Sequence, residues 1–291
     1  MWGRIASGQL YEAHQAVRTI AARYIRQKAY GEAIEVLYNA AKQLLEANEA
    51  GSASDLTLYL LSTYNLAETP VDGDSKARVV ELVTKFDPAE PTLKSIAHEV
   101  TQWSGKFGPK PFGDRELHHV LGSIFVRADE AYEAERHLLL GTKESAPLLA
   151  ELLYEWYGEQ EDAESAALYL SRGVLGYLAI QNIRDAKVVL ATFLSKLKES
   201  RRLEASEVGQ DGITIDVYTQ APLLTFLQLL VVTCQYKNAD LFNRLKTRYR
   251  AQIEDVQAFQ KPLVVIGQSI FGIAPQRQAN ILQDLMGSLF A

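Results

Sequence analysis

Five histidines, one cysteine and 36 carboxylates are the side chains of this 291-residue chain that could do acid–base, nucleophilic or metal chemistry. Their spacing organises none of it. His118 and His119 are adjacent, and on a helix neighbours diverge by about 100°, so they cannot share one ion easily. His137 lacks a second histidine one turn away, and no His-Glu-x-x-His is present. The lone Cys234 sits in an apolar run, which suits a small core residue better than a nucleophile. The segment from Gly105 to Gly113, with Pro109 and Pro111, reads as a loop, but no Lys-Ser/Thr follows at phosphate-cradle spacing. Neither a Gly-x-Ser-x-Gly elbow nor a dinucleotide fingerprint occurs. The reading is a protein that is not an enzyme and needs no metal or cofactor.

The charge pattern says more. The first 28 residues hold five basic groups (Arg4, Arg18, Arg23, Arg26, Lys28) against Glu12 alone, a net of +4, which leaves −10 on the remainder of a chain whose total is −6. An acidic total argues against a general nucleic-acid surface, and a basic end on an acidic protein suggests an acidic protein partner there. One cysteine excludes an internal disulfide framework and fits a reducing compartment such as the cytosol. The most apolar stretch, 222–234, is shorter than the ~20 residues a membrane span needs, so no direct membrane insertion is expected.

Helices must position these groups. Tyr30, Ala33, Ile34, Leu37, Ala40, Ala41, Leu44 and Leu45 form the stripe of a helix with one buried face. Ala33 allows a neighbouring helix to approach closely. The wording around it returns at Leu10-Tyr11-Glu12-Ala13, at Ala131-Tyr132-Glu133-Ala134 and, more loosely, at Ile183-Arg184-Asp185-Ala186. No such helix can cover its own stripe, so stacking is implied, and the whole of 1–291 reads as a single all-α solenoid of antiparallel helix pairs, similar to tetratricopeptide repeats. A first helix is expected over about 9–28. Gly51 to Asp55 should break the pattern and offer caps for a third helix. Pro70 to Asp74 is a turn and N-cap, and Asp87-Pro88 and Pro91 punctuate before a helix carrying Leu93, Ile96, Val100 and Trp103.

One region departs from this pattern. Ile213, Ile215 and Val217 alternate with polar residues after a glycine-rich turn, so a short β-hairpin is expected near 205–218. The segment that follows, with Leu223, Leu224, Leu227 and Leu230, is apolar nearly all round and needs covering on more than one side. Together they look like a groove awaiting a helix or strand.

With the helix array in hand, several segments resemble the Golgi-to-ER traffic protein four family, most of all its fungal members. The strongest are Tyr11-Glu12-Ala13-His14-Gln15, Arg18-Thr19-Ile20-Ala21 and Arg23-Tyr24-Ile25-Arg26. Others are Phe112-Gly113-Asp114 with His118, Tyr132-Glu133-Ala134-Glu135-Arg136 with Leu140-Gly141-Thr142, and Phe226-Leu227-Gln228-Leu229-Leu230 with Thr233-Cys234-Gln235. Ala274-Pro275 with Leu282-Gln283-Asp284 completes a colinear set along the chain. The resemblance implies a scaffold that targets tail-anchored membrane proteins to the ER. Its N-terminal half, 1–140, would bind a dimeric targeting ATPase. Its C-terminal half, 141–291, would grip a ubiquitin-like adaptor that in turn recruits a co-chaperone. By the same resemblance Arg4, Arg26 and Asp55 match the ATPase-facing positions, with Asp55 also readable as a cap. Tyr11 reads either as an aromatic contact or as core. The family's first helix usually begins further upstream, which leaves the edge of the basic patch unassigned. The alternative reading is a repeat domain recognising protein C-terminal tails, which would need Lys, Arg and Asn lining several inner helices.

Overall fold

The structure, a computed structural model, describes residues 10–159, 162, 165–210 and 212–274. Arg4 and the segment from Pro275 onward lie outside the described residues. Among those described, fourteen helices and one hairpin divide between two compact units, Met1–Leu148 and Leu149–Ala291.

The first unit holds α1 (Leu10–Arg26), α2 (Tyr30–Glu46), α3 (Ala50–Leu66), α4 (Gly73–Lys85), α5 (Leu93–Phe107), α6 (Arg115–Arg127) and α7 (Ala131–Leu138), together with the start of α8 (Ser145–Gly158). Each helix packs on its successor or its next-but-one neighbour: α1 on α2 and α3, α2 on α3 and α4, α3 on α5, α4 on α6, α6 on α7. That regular stacking follows from the stripes. Ala33, Leu37, Ala40, Ala41 and Leu44 are fully buried, as are Leu56, Leu60, Tyr64, Ile96, Val100 and Trp103. Each buried leucine contributes on the order of 2 kcal/mol. The Trp103 ring lies 4.9 Å from that of Tyr64 and its Nε1 donates to the Thr69 carbonyl at 2.9 Å.

The local repeat has a backbone counterpart that the sequence conceals. Lys28, Asn48, Asp129 and Gln181 all have φ between 57° and 61°. Each is followed by a helix-entry residue (Ala29, Glu49, Glu130, Asn182) with ψ between 65° and 71°. The N–H of that entry residue reaches back to the carbonyl of Tyr24, Leu44, Phe125 or Tyr177, the i→i−5 bond of a Schellman turn. Four residues further on stands a fully buried alanine: Ala33, Ala53, Ala134 and Ala186. One corner geometry therefore serves four helix pairs, built on non-glycine residues in the left-handed region.

This corner also corrects the expected start of the third helix. α3 begins at Ala50, so Gly51 to Asp55 lie within its first two turns, and the entry residue Glu49 makes no side-chain cap bond. Asp55 is not a cap. The next connection behaves as expected. Asp72 caps α4, accepting from Ser75 N at 2.8 Å while the Ser75 hydroxyl accepts from Asp72 N. α5 runs through Phe107, two residues past the expected break at Gly105. Gly113, at φ 102°, then has room for no Cβ, which would lie 2.9 Å from His118 Nε2. Asp114 after it caps α6 by accepting from Glu116 N and Leu117 N.

Ion pairs seal next-but-one neighbours in this unit. Arg78 and Glu35 lie 2.6 Å apart, Lys42 and Glu81 also 2.6 Å, and Lys85 and Glu46 3.4 Å, three rungs between α2 and α4. Lys94 reaches Glu130 at 2.8 Å.

The second unit holds the rest of α8, then α9 (Ser165–Ala179), α10 (Ile183–Ser200), β1 (Ser206–Gln210), β2 (Ile213–Val217), α11 (Pro222–Tyr236), α12 (Ala239–Arg248), α13 (Arg250–Ile253) and α14 (Gln257–Phe271). The two strands pair antiparallel, Ser206 opposite Val217 through Gln210 opposite Ile213, as the alternation predicts. α11 is the hub. It packs on α9, α10, β2, α12 and α13, and α14 returns onto α9 rather than extending the stack. Phe226, fully buried, meets the Tyr249 and Phe259 rings at 5.3 and 5.9 Å.

Candidate protein-binding faces

The histidines settle first. His118 Nε2 donates to the Phe112 carbonyl at 2.8 Å, so its Nδ1 accepts from His137 Nδ1 at 2.9 Å. Both rings are buried between α6 and α7, and the His137 ring stacks on Phe125. Burial pushes His118 below the usual imidazole range. Burial, then the neighbouring His118 and Arg136, pushes His137 down to about 3. This is a neutral, structural pair. Burial likewise drives the Cys234 thiol up to about 12, where no thiolate forms at neutral pH. Among the described residues, no group of three or more His, Cys, Asp or Glu is placed to hold a metal ion, and no helix is long and apolar enough to cross a membrane.

In the first unit, α1 and α3 present a polar edge. Tyr11 is 71% exposed, so it is not core. Arg18, Arg23 and Arg26 are exposed on α1, the last with its Nε donating to the Ala22 carbonyl at 3.3 Å. Across from them on α3, Asp55 accepts from Arg18 at both carboxylate oxygens and pairs with His14 Nε2 at 2.7 Å. The Arg18 guanidinium lies 5.6 Å from the Tyr59 ring centre. Partial burial raises the Asp55 pKa, but hydrogen bonds from Arg18 and then His14 more than offset it and hold the carboxyl below its usual range. The structure thus brings Tyr11, Arg26 and Asp55 onto neighbouring helices. It adds His14 and Arg18, whose side chains the sequence gave no reason to aim at Asp55.

In the second unit, α10, β2 and α11 enclose a groove of about 550 Å³. Leu190, Ala191 and Leu194 form one wall, Ile213, Thr214 and Ile215 another, and Gln228, Val231 and Val232 the third, with Lys187 and Lys198 at its margin. Ile213 and Ile215 are half-buried within it. Val217 is half-buried outside it, and Leu223 lines a separate cavity of about 290 Å³ with Ala167, Pro222 and Val256. Leu224, Leu227 and Leu230 have no exposed surface, because the unit's own helices cover them. They are core rather than an exposed face; on the same helix Val231, itself buried, and the half-buried Val232 line the groove. The hairpin is fixed to α11 by Gln228, whose Oε1 accepts from Asp216 N at 2.9 Å while its Nε2 donates to Asp216 O at 2.8 Å. Thr225 Oγ1 accepts from Tyr218 N at 3.0 Å, and Lys198 pairs with Asp216 at 2.7 Å.

Stacked helix pairs with a hairpin let into the second unit define the chain as an α-solenoid protein. A family model described as Golgi to ER traffic protein 4 matches residues 27–290, and the chain belongs to that family. It is 42% identical to the Golgi to ER traffic protein 4 of Aspergillus fumigatus, over 98% of this chain and 86% of that protein. To the Schizosaccharomyces pombe protein it is 33% identical, over 97% and 91%. A solved structure described as the crystal structure of C. therm. Get4 superposes with a TM-score of 0.87 at 37% identity, covering 99% of this chain and 92% of that one. The family gives the chain a role in Golgi-to-ER traffic, in the GET pathway.

Proposed function

We propose that the chain is a cytosolic, non-enzymatic scaffold in the targeting of tail-anchored membrane proteins to the ER. Its first unit would bind a dimeric targeting ATPase and its second a ubiquitin-like adaptor, which brings a client-bearing co-chaperone. Such a bridge raises the effective concentration for client transfer. The observation that carries the reading is that the two units offer faces of opposite chemistry. The α1–α3 edge is cationic and exposed. The α10–β2–α11 groove is apolar, concave and rigidly framed. The first suits an acidic, fast-exchanging partner and the second a stably held one.

Titration calorimetry separates the two. Arg26→Glu is expected to weaken ATPase binding by about tenfold at low salt, with the loss shrinking as ionic strength rises, while adaptor binding stays unchanged. Ile215→Asp should do the reverse, abolishing adaptor co-purification with native helicity retained, because Ile215 is not a fully buried residue. Loss of both partners from either single variant would contradict the division of labour.

A further inference from the structure

Asp55 carries a puzzle for any docking role. A carboxylate that greets a partner should be free, yet both of its oxygens are engaged within the chain, by Arg18 and by His14. The two engagements differ in kind. The His14 side chain is 11% exposed and held by the surrounding core of α1, with Ala13 and Val17 fully buried beside it. It is the fixed partner. Arg18 is a long side chain, 45% exposed, held among the described residues by Asp55 and by the face of Tyr59. It is the movable one, and an exposed pair of this kind contributes little to stability.

We infer that Arg18 is a placeholder cation, which occupies Asp55 in the free protein and yields it to a basic side chain of the partner. The inference rests on the ATPase-facing reading of this edge. A partner lysine or arginine approaching Asp55 meets the Arg18 guanidinium already seated across both oxygens, with His14 on one of them, so a second cation is repelled and gains the carboxylate fully only when Arg18 moves off. Arg18 can leave because, among the described residues, Tyr59 and Asp55 are what hold it. The incoming cation then inherits the Asp55 carboxylate, the His14 contact and the uncovered Tyr59 ring. The released Arg18 joins Arg23 and Arg26 on the exposed cationic edge of α1. The exchange makes the face selective. While Arg18 is seated, Asp55 presents no net charge and the edge attracts acidic surfaces only. A partner gains the extra site only if it carries a correctly placed cation next to its acidic patch. Arg18 is therefore a specificity-determining residue rather than a simple contact.

The test is a double-mutant cycle read by calorimetry against the dimeric ATPase, with thermal melting of each variant as the folding control. Arg18→Gln keeps the first part of the aliphatic stem but removes the guanidinium from Asp55 and Tyr59, and it should tighten binding by about fivefold. Asp55→Asn should weaken binding, and Arg18→Gln should give no tightening in the Asp55→Asn background. If Arg18→Gln weakens binding, leaves it unchanged, or tightens it equally without Asp55, the placeholder is wrong, and the ATPase-facing edge is then decided by the Arg26 result. If the unaltered protein does not bind the ATPase at all, the edge assignment itself falls and takes the placeholder with it.

Discussion

The two units solve the same burial problem in different ways. In the first, each helix shields its successor or its next-but-one neighbour, and charged rungs such as Arg78–Glu35 and Lys42–Glu81 close the gaps between alternate helices. In the second, α11 is wrapped by five other elements and α14 turns back onto α9. Its hydrophobicity is nearly isotropic, and the chain spends a hairpin and three later helices to cover it. The regular unit leaves a polar edge, whereas the irregular one leaves an apolar groove. Irregular packing is what creates concavity.

That contrast can be broken at its centre. Phe226→Ala should cost about 3–5 kcal/mol, since the ring is fully buried between Tyr249 and Phe259 and its loss leaves a cavity at the hub. Hydrogen exchange should then show the second unit opening as a whole, with α10, α11 and α14 losing protection together while α1 to α4 keep theirs. A gradual loss spread over both units would mean that the contrast is only descriptive.

A change of pH reaches the first unit alone. His118 and His137 are held neutral with folded pKa values below the ~6.5 of an unfolded histidine. The unfolded state therefore binds more protons below that value. The stability of the α6–α7 pair is complete above about pH 6.5 and falls as pH drops below it, by up to about 1.4 kcal/mol per pH unit for each histidine that stays neutral in the fold. Protection of α6 and α7 amides, followed from pH 7 to 4, should decline on that schedule. The double replacement His118→Gln with His137→Leu should flatten the decline without altering the second unit.

The smallest effect sharpens what the units share. Asp129 in the first and Gln181 in the second occupy the same corner at φ 57° and 61°. Glycine there relieves about 1 kcal/mol of left-handed strain and loses part of that to a more flexible unfolded chain. Asp129→Gly and Gln181→Gly should each raise the melting temperature of their own unit by a degree or two. Opposite signs would show that the corners only look alike.

These corners also explain what the sequence could and could not say. The stripe from Tyr30 to Leu45 and the alternation of Ile213, Ile215 and Val217 were legible because periodicity alone fixes which face is buried. The start of α3 was misplaced because the turn is made by Asn48, an ordinary residue in a left-handed conformation, while the more conspicuous Gly51 is absorbed into the helix. With the helix starting earlier, Asp55 lost its role as a cap and acquired Arg18 and His14. The groove was legible as a need for cover around α11, but not in its detail. Leu224, Leu227 and Leu230 differ from Val231 and Val232 only in which neighbour stands opposite, and α10 is supplied by a segment three dozen residues away in sequence. Gln228 was invisible for the same reason, since nothing local distinguishes an amide that grips a strand from one that meets water.

The recurrent corner bears on how such a chain can change length over time. A junction of two residues with one fixed dihedral signature has no slack, and an added residue would swing the incoming helix away from the alanine seat four positions beyond. Insertions and deletions should therefore gather where the connections are irregular, in the 86–92 and 139–144 stretches, and spare the junctions at 28–29, 48–49, 129–130 and 181–182. The spacing between helices would then drift far more slowly than the residues that make it.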